Sequence, residues 1–261
     1  MNNKKAKIIF FTAIAVFLVS LILLLAYLLP RTVLLPEKNK VVKNPQITVE
    51  KGEELPDNPK NFKELKKQNA DIYAWISVPG TLVDYPVLQS GDDKVENFYI
   101  NHGLDNKYLR SGSIYSQRLN SKDFSDPNTI LYGHNMKNDS MFGSLHSYRD
   151  PEFFKTNNLI YVYTEGHILT YKIYAAYKYD NRHILNSFNF SDEKIREDYF
   201  KMTLNPITTM KNIDTETTLT KDSKILTLST CITNDNYRYL VQGVLINDQL
   251  TKWWKFEFFW Q

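Results

Sequence analysis

The sequence predicts a mainly β protein: a closed antiparallel barrel of about eight short strands, decorated by helices. Three observations carry that prediction. Short apolar runs alternate with polar residues and are separated by turn-type residues, at a spacing suited to strands. Aromatic residues make up 14% of the chain, with 17 Tyr and 15 Phe, and such side chains favour half-buried pleated surfaces. Segments with clear helical periodicity are few.

The N-terminal part stands apart from that pattern. Residues 1–7 form a basic stub, with Lys4, Lys5 and Lys7, and an apolar run follows over 8–29. That run is long enough for a membrane-spanning helix, which needs roughly 20 residues. The preceding lysines favour a cytoplasmic N-terminus. A cleaved signal peptide is the rival reading, but its apolar region should be shorter and end in small residues. The expectation is a signal anchor, giving a single-pass membrane protein with its catalytic domain outside the cytoplasm. The outer flank is also basic, with Arg31, Lys38 and Lys40, so the charge asymmetry is modest. Residues 30–59, polar and punctuated by prolines at 36, 45, 56 and 59, read as a linker.

The folded domain is expected over 60–247. Its first stretch, "NPKNFKELKKQNADIYAWISVPG" (58–80), reads as helical: Phe62, Leu65, Ile72 and Trp75 form an apolar stripe that Pro79 and Gly80 end. Strand signals then dominate, as "YPVLQS" (85–90), "NFYI" (97–100), "GSIYS" (112–116) and "NTILYGH" (128–134). In "LIYVYTEGHILTYKIYAAYKYD" (159–180), Glu165 and Gly166 read as the turn of a hairpin between two aromatic-rich strands. "SDEKIREDYFKMTL" (191–204) breaks the pattern as an amphipathic helix, with Ser191 as its N-cap and Ile195, Tyr199 and Met202 on one face. Two strands close the domain, in "KILTLSTCITNDNYRYLVQGVLI" (224–246). Beyond them, residues 248–261 form an aromatic tail too short to span a membrane, to which the sequence assigns no role.

Composition excludes some functions. A formal net charge of +3, with basic and acidic residues interspersed, gives no footprint for nucleic-acid binding. At 43% hydrophobic content the bulk of the chain is not disordered.

The chain holds a single cysteine, Cys231. In an exported protein a lone cysteine is a free reactive thiol, half of an intermolecular bridge, or an inert buried side chain. Alternation along 224–231 puts Ile225, Thr227, Ser229 and Cys231 on one strand face, and Leu226, Leu228 and Thr230 on the other. Turn-type residues follow. If the two strands form a hairpin, the seven-residue separation brings Arg238 close to Cys231. A guanidinium there can favour the thiolate or steady an oxyanion on a substrate carbonyl; the alternative is a solvated edge residue. A cysteine nucleophile also needs an acid/base. Of five histidines, His167 falls in the hairpin turn, His102 in a loop, and His146 and His183 among polar, surface-like residues. An apolar strand delivers His134 to its end, as another delivers Cys231, although spacing alone leaves a structural histidine open.

Together these segments resemble the sortase family of membrane-anchored cysteine transpeptidases, class B. The residues that carry the likeness are "TLSTC" with "YRY" on the next strand, "LYGHN", "DIYAWISVPGTLVDYPVLQ", "FYINHGLDNKYLRSGSIY", "MFGSLHSY" and the long insertion before "KILTLSTC". The likeness runs from about residue 60 to 247. It implies an eight-stranded sortase-type barrel with an N-terminal helical segment, and a helix-bearing insertion before the penultimate strand. It implies Cys231 as nucleophile, His134 as general acid/base and Arg238 as oxyanion or substrate-positioning residue, with Ser229 and Thr230 lining the substrate groove. The implied partners are secreted proteins bearing a C-terminal sorting signal, an amine of peptidoglycan or its lipid-linked precursor, and the membrane. No cofactor and no metal are implied. "LPRTV" (29–33) and "NPQIT" (44–48) mimic the Leu-Pro-x-Thr-Gly and Asn-Pro-Gln-Thr signals of sortase substrates, but they follow an N-terminal apolar segment instead of preceding a C-terminal one. Chance explains them. A surface cysteine protease, a pilin-polymerising transpeptidase and a non-enzymatic wall protein or pilus subunit are the competing readings. The protease shares the Cys/His pair, and the wall protein gives no reason for it.

Overall fold

In the segment Leu159–Thr164 every second residue, Ile160, Val162 and Thr164, is buried, so one face of that strand points into a core. The same logic organises the rest of the computed structural model, which describes residues 55–232 and 236–252. The chain begins with helix α1 (Phe62–Gln68), followed by strands β1 (Ile72–Ser77), β2 (Asp84–Gln89), β3 (Ile114–Ser116) and β4 (Asn128–Tyr132). Helix α2 (Pro151–Thr156) precedes the hairpin of β5 (Leu159–Thr164) and β6 (His167–Asp180). An insertion carrying α3 (Ile184–Ser187), α4 (Glu193–Leu204) and β7 (Lys211–Ile213) leads into β8 (Ile225–Cys231) and β9 (Tyr237–Leu250).

Eight strands pair in the order β5-β1-β2-β3-β4-β8-β9-β6, and β5 pairs with β6 to close the barrel; β7 adds a ninth strand beside β6. Closure leaves the barrel itself no free edge. The expected all-antiparallel arrangement is corrected at two places, where β2 pairs with β3 and β4 with β8 in parallel. Long crossovers explain both, because residues 90–113 and 133–224 return the chain to the starting end of the sheet before the next strand begins.

Inward-facing Val87, Ile114, Leu131, Ile160, Val162, Leu226, Leu228 and Val241 fill the barrel. A second cluster lies on its outer wall. There Ile130, Ile225, Leu240 and Val244 of the sheet meet Ile184, Tyr199 and Phe200 of the insertion. Because both faces of β8 are covered, its first six residues are all buried.

Local sequence explains the helices that form. Asn61 caps α1 by accepting from the Glu64 N–H, and Asp192, one residue beyond the expected Ser191, caps α4 by accepting from the Ile195 N–H. The helix expected over 58–80 is cut short. Asn69 binds the Asp71 N–H through its side chain, and Ile72–Ser77 becomes a strand between β2 and β5. Tyr73, Ala74 and Ile76 are buried there in the barrel, which overrides the near-helical spacing of Ile72 and Trp75. The expected strand at 97–100 is a 3-10 turn, Phe98–Ile100.

The expected single-pass membrane localisation is also corrected: no helix among the described residues is long and apolar enough to cross a membrane. The longest helix among these residues, α4, has 12 residues and carries charges along its length. Residues 8–29, on which that expectation rested, lie outside the described residues, as do both signal-like strings and residues 253–261 of the aromatic tail. Residues 248–250 of that tail belong to β9.

Candidate active site

β4 and β8 end, and β9 begins, at neighbouring positions of the barrel. β8 alternates as the sequence implies: Leu226 and Leu228 point into the barrel, whereas Ile225 meets the insertion outside. By that alternation Thr227, Ser229 and Cys231 share the outer face. Cys231, half-buried, is the last residue of the strand and a free thiol.

β9 returns antiparallel, with Cys231 directly opposite Arg238. The Ile232 N–H donates to the Tyr237 carbonyl at 3.3 Å, which makes 232 and 237 a hydrogen-bonded pair. Cys231 and Arg238 therefore form the adjoining non-hydrogen-bonded pair, in which Cα atoms stand roughly 4.5 Å apart and side chains approach most closely. The Arg238 guanidinium donates to the Tyr237 carbonyl at 3.2 Å.

β4 lies on the other side of β8 and runs parallel to it, pairing Tyr132 with Ser229. The Gly133 N–H continues the ladder to the Ser229 carbonyl at 3.2 Å. Two residues beyond Tyr132, the same register continued past its last pair would bring His134 level with Cys231. Glycine is required between them: a Cβ on Gly133 would lie 2.5 Å from Ile114 Cδ1 and 2.8 Å from Phe142 Cδ2. After His134 the chain doubles back, and the Phe142 N–H donates to the His134 carbonyl at 3.0 Å.

Buried polar groups support this rim. The rings of Tyr115 and Tyr132 stack at 5.5 Å. Burial pushes both phenols well above their ordinary pKa, with Arg238 partly offsetting the effect, so both stay neutral. The Tyr132 hydroxyl donates to Gln117 Oε1 at 3.3 Å, and Gln117 Nε2 donates to Asn97 Oδ1 at 2.8 Å. His183 reaches the same Gln117 oxygen with Nε2 at 2.7 Å while its Nδ1 accepts from the Asn186 N–H at 3.2 Å. One tautomer, protonated on Nε2, satisfies both bonds. The insertion is thereby tied to the residue two places before His134.

Two of the histidines set aside as surface-like are thus structural: His183 links the insertion to β4, and His146 places Nε2 3.2 Å from the Cys231 carbonyl. No periodicity flagged either of them, because each meets its partner across a long stretch of chain. Of the expected groove residues, Ser229 is on the outer face at 5% exposure. Thr230 points into the barrel at 1%, and its hydroxyl has no hydrogen-bond partner among the described residues. A thiol, an imidazole and a guanidinium at adjacent strand ends form a set able to support acyl chemistry.

A closed barrel of this topology with such a rim matches known proteins. The chain belongs to the sortase family, since the sortase domain matches residues 76–246. Within that family its likeness is to class B. It is 33% identical to sortase B of Listeria monocytogenes over 190 residues, which cover 71% of this chain and 74% of that one. Among solved structures it resembles Clostridium perfringens sortase B at 32% identity and a TM-score of 0.63, covering 72% of this chain and all of that one. It also resembles a Staphylococcus aureus sortase B–substrate complex at 27% identity and a TM-score of 0.64, over 73% of this chain and 87% of that one. The protein is a sortase-family transpeptidase.

Proposed function

We propose that Cys231 is the nucleophile, His134 the general acid/base and Arg238 the oxyanion donor of a class B sortase that anchors secreted proteins bearing a sorting signal. The observation that supports this most is the register in which Cys231 faces Arg238 and in which β4, two residues before His134, pairs Tyr132 with Ser229 of β8. Cys231 Sγ attacks the carbonyl carbon of the signal's Thr, and the charge that develops on its oxygen faces the Arg238 guanidinium. His134 protonates the departing amine, and the tetrahedral adduct collapses to a thioester. An amine of peptidoglycan or its lipid-linked precursor then attacks the thioester and yields its proton to His134. Cys231 leaves as the thiolate. Ser229, on the same face, lines the groove. Thr230 acts from behind, by filling the barrel end beneath the thiol.

The test is mass spectrometry of products formed from a randomised pentapeptide library and from an Asn-Pro-Gln-Thr peptide, with and without an amine acceptor. Ligated product and a thioester on Cys231 are expected. Hydrolysis that no amine diverts would favour a cysteine protease instead. Removal of the general acid in His134→Ala should cost roughly 10²–10⁴-fold in rate, and Arg238→Ala roughly 10²–10³-fold.

A further inference from the structure

The carbonyl of Cys231 has lost its place in the sheet. Since Cys231 and Arg238 form a non-hydrogen-bonded pair, the N–H and C=O of Cys231 point away from β9, toward β4. On that side the Gly133 N–H serves the Ser229 carbonyl, and the next parallel rung would run from Asn135 to Cys231. That bond does not form among the described residues: the chain turns away after His134, and Asn135 lies opposite Met141 in an isolated antiparallel bridge. A carbonyl stranded at a half-buried strand end is costly unless another donor reaches it. His146 Nε2 does so, at 3.2 Å.

We propose that His146 is a positioning residue for acyl transfer: its Nε2–H replaces the missing sheet rung and so fixes the Cys231 backbone, and with it the thiol, against His134 and Arg238. This rests on Cys231 being the nucleophile. The imidazole is itself held in place, because its ring lies 5.0 Å from that of Tyr239, and the Arg149 guanidinium lies 5.4 Å from the Tyr239 ring. A carbonyl only accepts, so the ring carries its proton on Nε2. Nδ1 is buried and has no hydrogen-bond partner among the described residues. The groups that face the ring are Arg149 from the 3-10 helix Gly143–Arg149 that also holds His146, Asp139 from the preceding loop, Tyr239 from β9 and the Cys231 carbonyl from β8. Burial, reinforced by Arg149, holds the His146 pKa below its ordinary value against the smaller opposing pulls of the Cys231 carbonyl and Asp139. The neutral donor is the form the site stabilises. A second proton would sit on Nδ1, where the described residues offer no acceptor.

The single cysteine makes the test clean. Feeding [1-13C]cysteine to the full chain gives one labelled carbonyl, at Cys231, whose resonance reports the hydrogen bond without any substrate. His146→Gln keeps an N–H donor at similar reach, and His146→Phe keeps the ring against Tyr239 but has no donor. The carbonyl resonance should move in His146→Phe and stay near wild type in His146→Gln. With an internally quenched Asn-Pro-Gln-Thr peptide, or the best-cleaved library peptide in its place, kcat should fall roughly tenfold in His146→Phe with KM nearly unchanged. His146→Gln should recover most of that loss. An unmoved resonance with unchanged kcat in His146→Phe would overturn the proposal, and so would equal damage in both variants. If His146→Phe does not fold, acid titration decides: the wild-type resonance should titrate below the ordinary histidine range and the His146→Gln resonance should not. A flat wild-type profile overturns the proposal. Cleavage that survives Cys231→Ala would sink the nucleophile assignment separately, since the resonance still reads the hydrogen bond.

Discussion

The two faces of β8 are buried to nearly the same degree but differ in chemistry. Inward, Leu226 and Leu228 are fully buried among aliphatic and aromatic neighbours. Outward, Thr227 is equally buried yet donates to Asn128 Oδ1 at 2.8 Å and accepts from Gln242 Nε2 at 2.9 Å. Gln242 also donates to the Tyr199 hydroxyl of α4 at 3.2 Å and accepts from the Tyr177 hydroxyl at 3.0 Å. Apolar packing tolerates small shifts, whereas a closed set of hydrogen bonds has one register. The inner face therefore supplies stability, and the outer face fixes where the insertion sits beside the rim. Further along the same outer row the covering ends, and Cys231 is half-exposed.

That division of labour can be broken in stages. The largest effect on function is expected from Cys231→Ala, which should abolish ligation yet leave the melting temperature within a few degrees of wild type, as a half-exposed strand end allows. A large drop in melting temperature would assign the Cys231 end of that face a stabilising role it is not expected to have. On the inner face, Leu228→Ala should cost about 2–5 kcal/mol in urea unfolding, through lost transfer energy and a cavity, while ligation per folded molecule persists. Gln242→Leu comes next, at about 1–3 kcal/mol, because the Tyr177 and Tyr199 hydroxyls each lose a partner. Adding Tyr177→Phe should restore part of that loss, and a strictly additive double variant would argue against the network.

The smallest effect concerns acid. The folded-state pKa of His146 lies below its unfolded value, so between the two the unfolded chain binds more protons and stability rises with pH. The contribution is therefore present above the ordinary histidine pKa of 6.5 and lost as pH falls through that window toward the depressed value. Melting curves of wild type and His146→Gln should diverge on acidification below pH 6.5, with wild type losing more. Parallel curves would show that the imidazole titrates as it does in the unfolded chain.

What the sequence made legible was what is local. The hairpin over 159–180, the helix at 193–204 and the facing of Cys231 and Arg238 follow from alternation, caps and short turns, and the structure reproduces them. The two parallel pairings were not legible, because nothing within a short window encodes which distant strand will lie alongside. Where β4 delivers His134 relative to β8 depends on one of those pairings, so the residues alone could not separate it from a structural histidine until the family likeness was drawn. His146 escaped for the same reason. Its partner is a backbone carbonyl 85 positions away, left bare by the early end of a third strand. The near-helical stripe through Ile72 and Trp75 misled because burial in the barrel outweighs intrinsic periodicity.

The parallel seam between β4 and β8 also has a kinetic meaning. It joins segments such as Asn128 and Thr227, 99 positions apart, and the whole insertion must be threaded through before it can form. Contacts of that range are slow to close, since loop entropy is spent before any contact repays it. Hydrogen exchange should show the β5–β6 hairpin protected early in refolding and β4 late. Until the seam closes, the ends of β4 and β8 are not held side by side. Under the roles we propose for Cys231 and His134, a nascent or partly unfolded molecule is thereby kept from acylating itself on whatever peptide it meets.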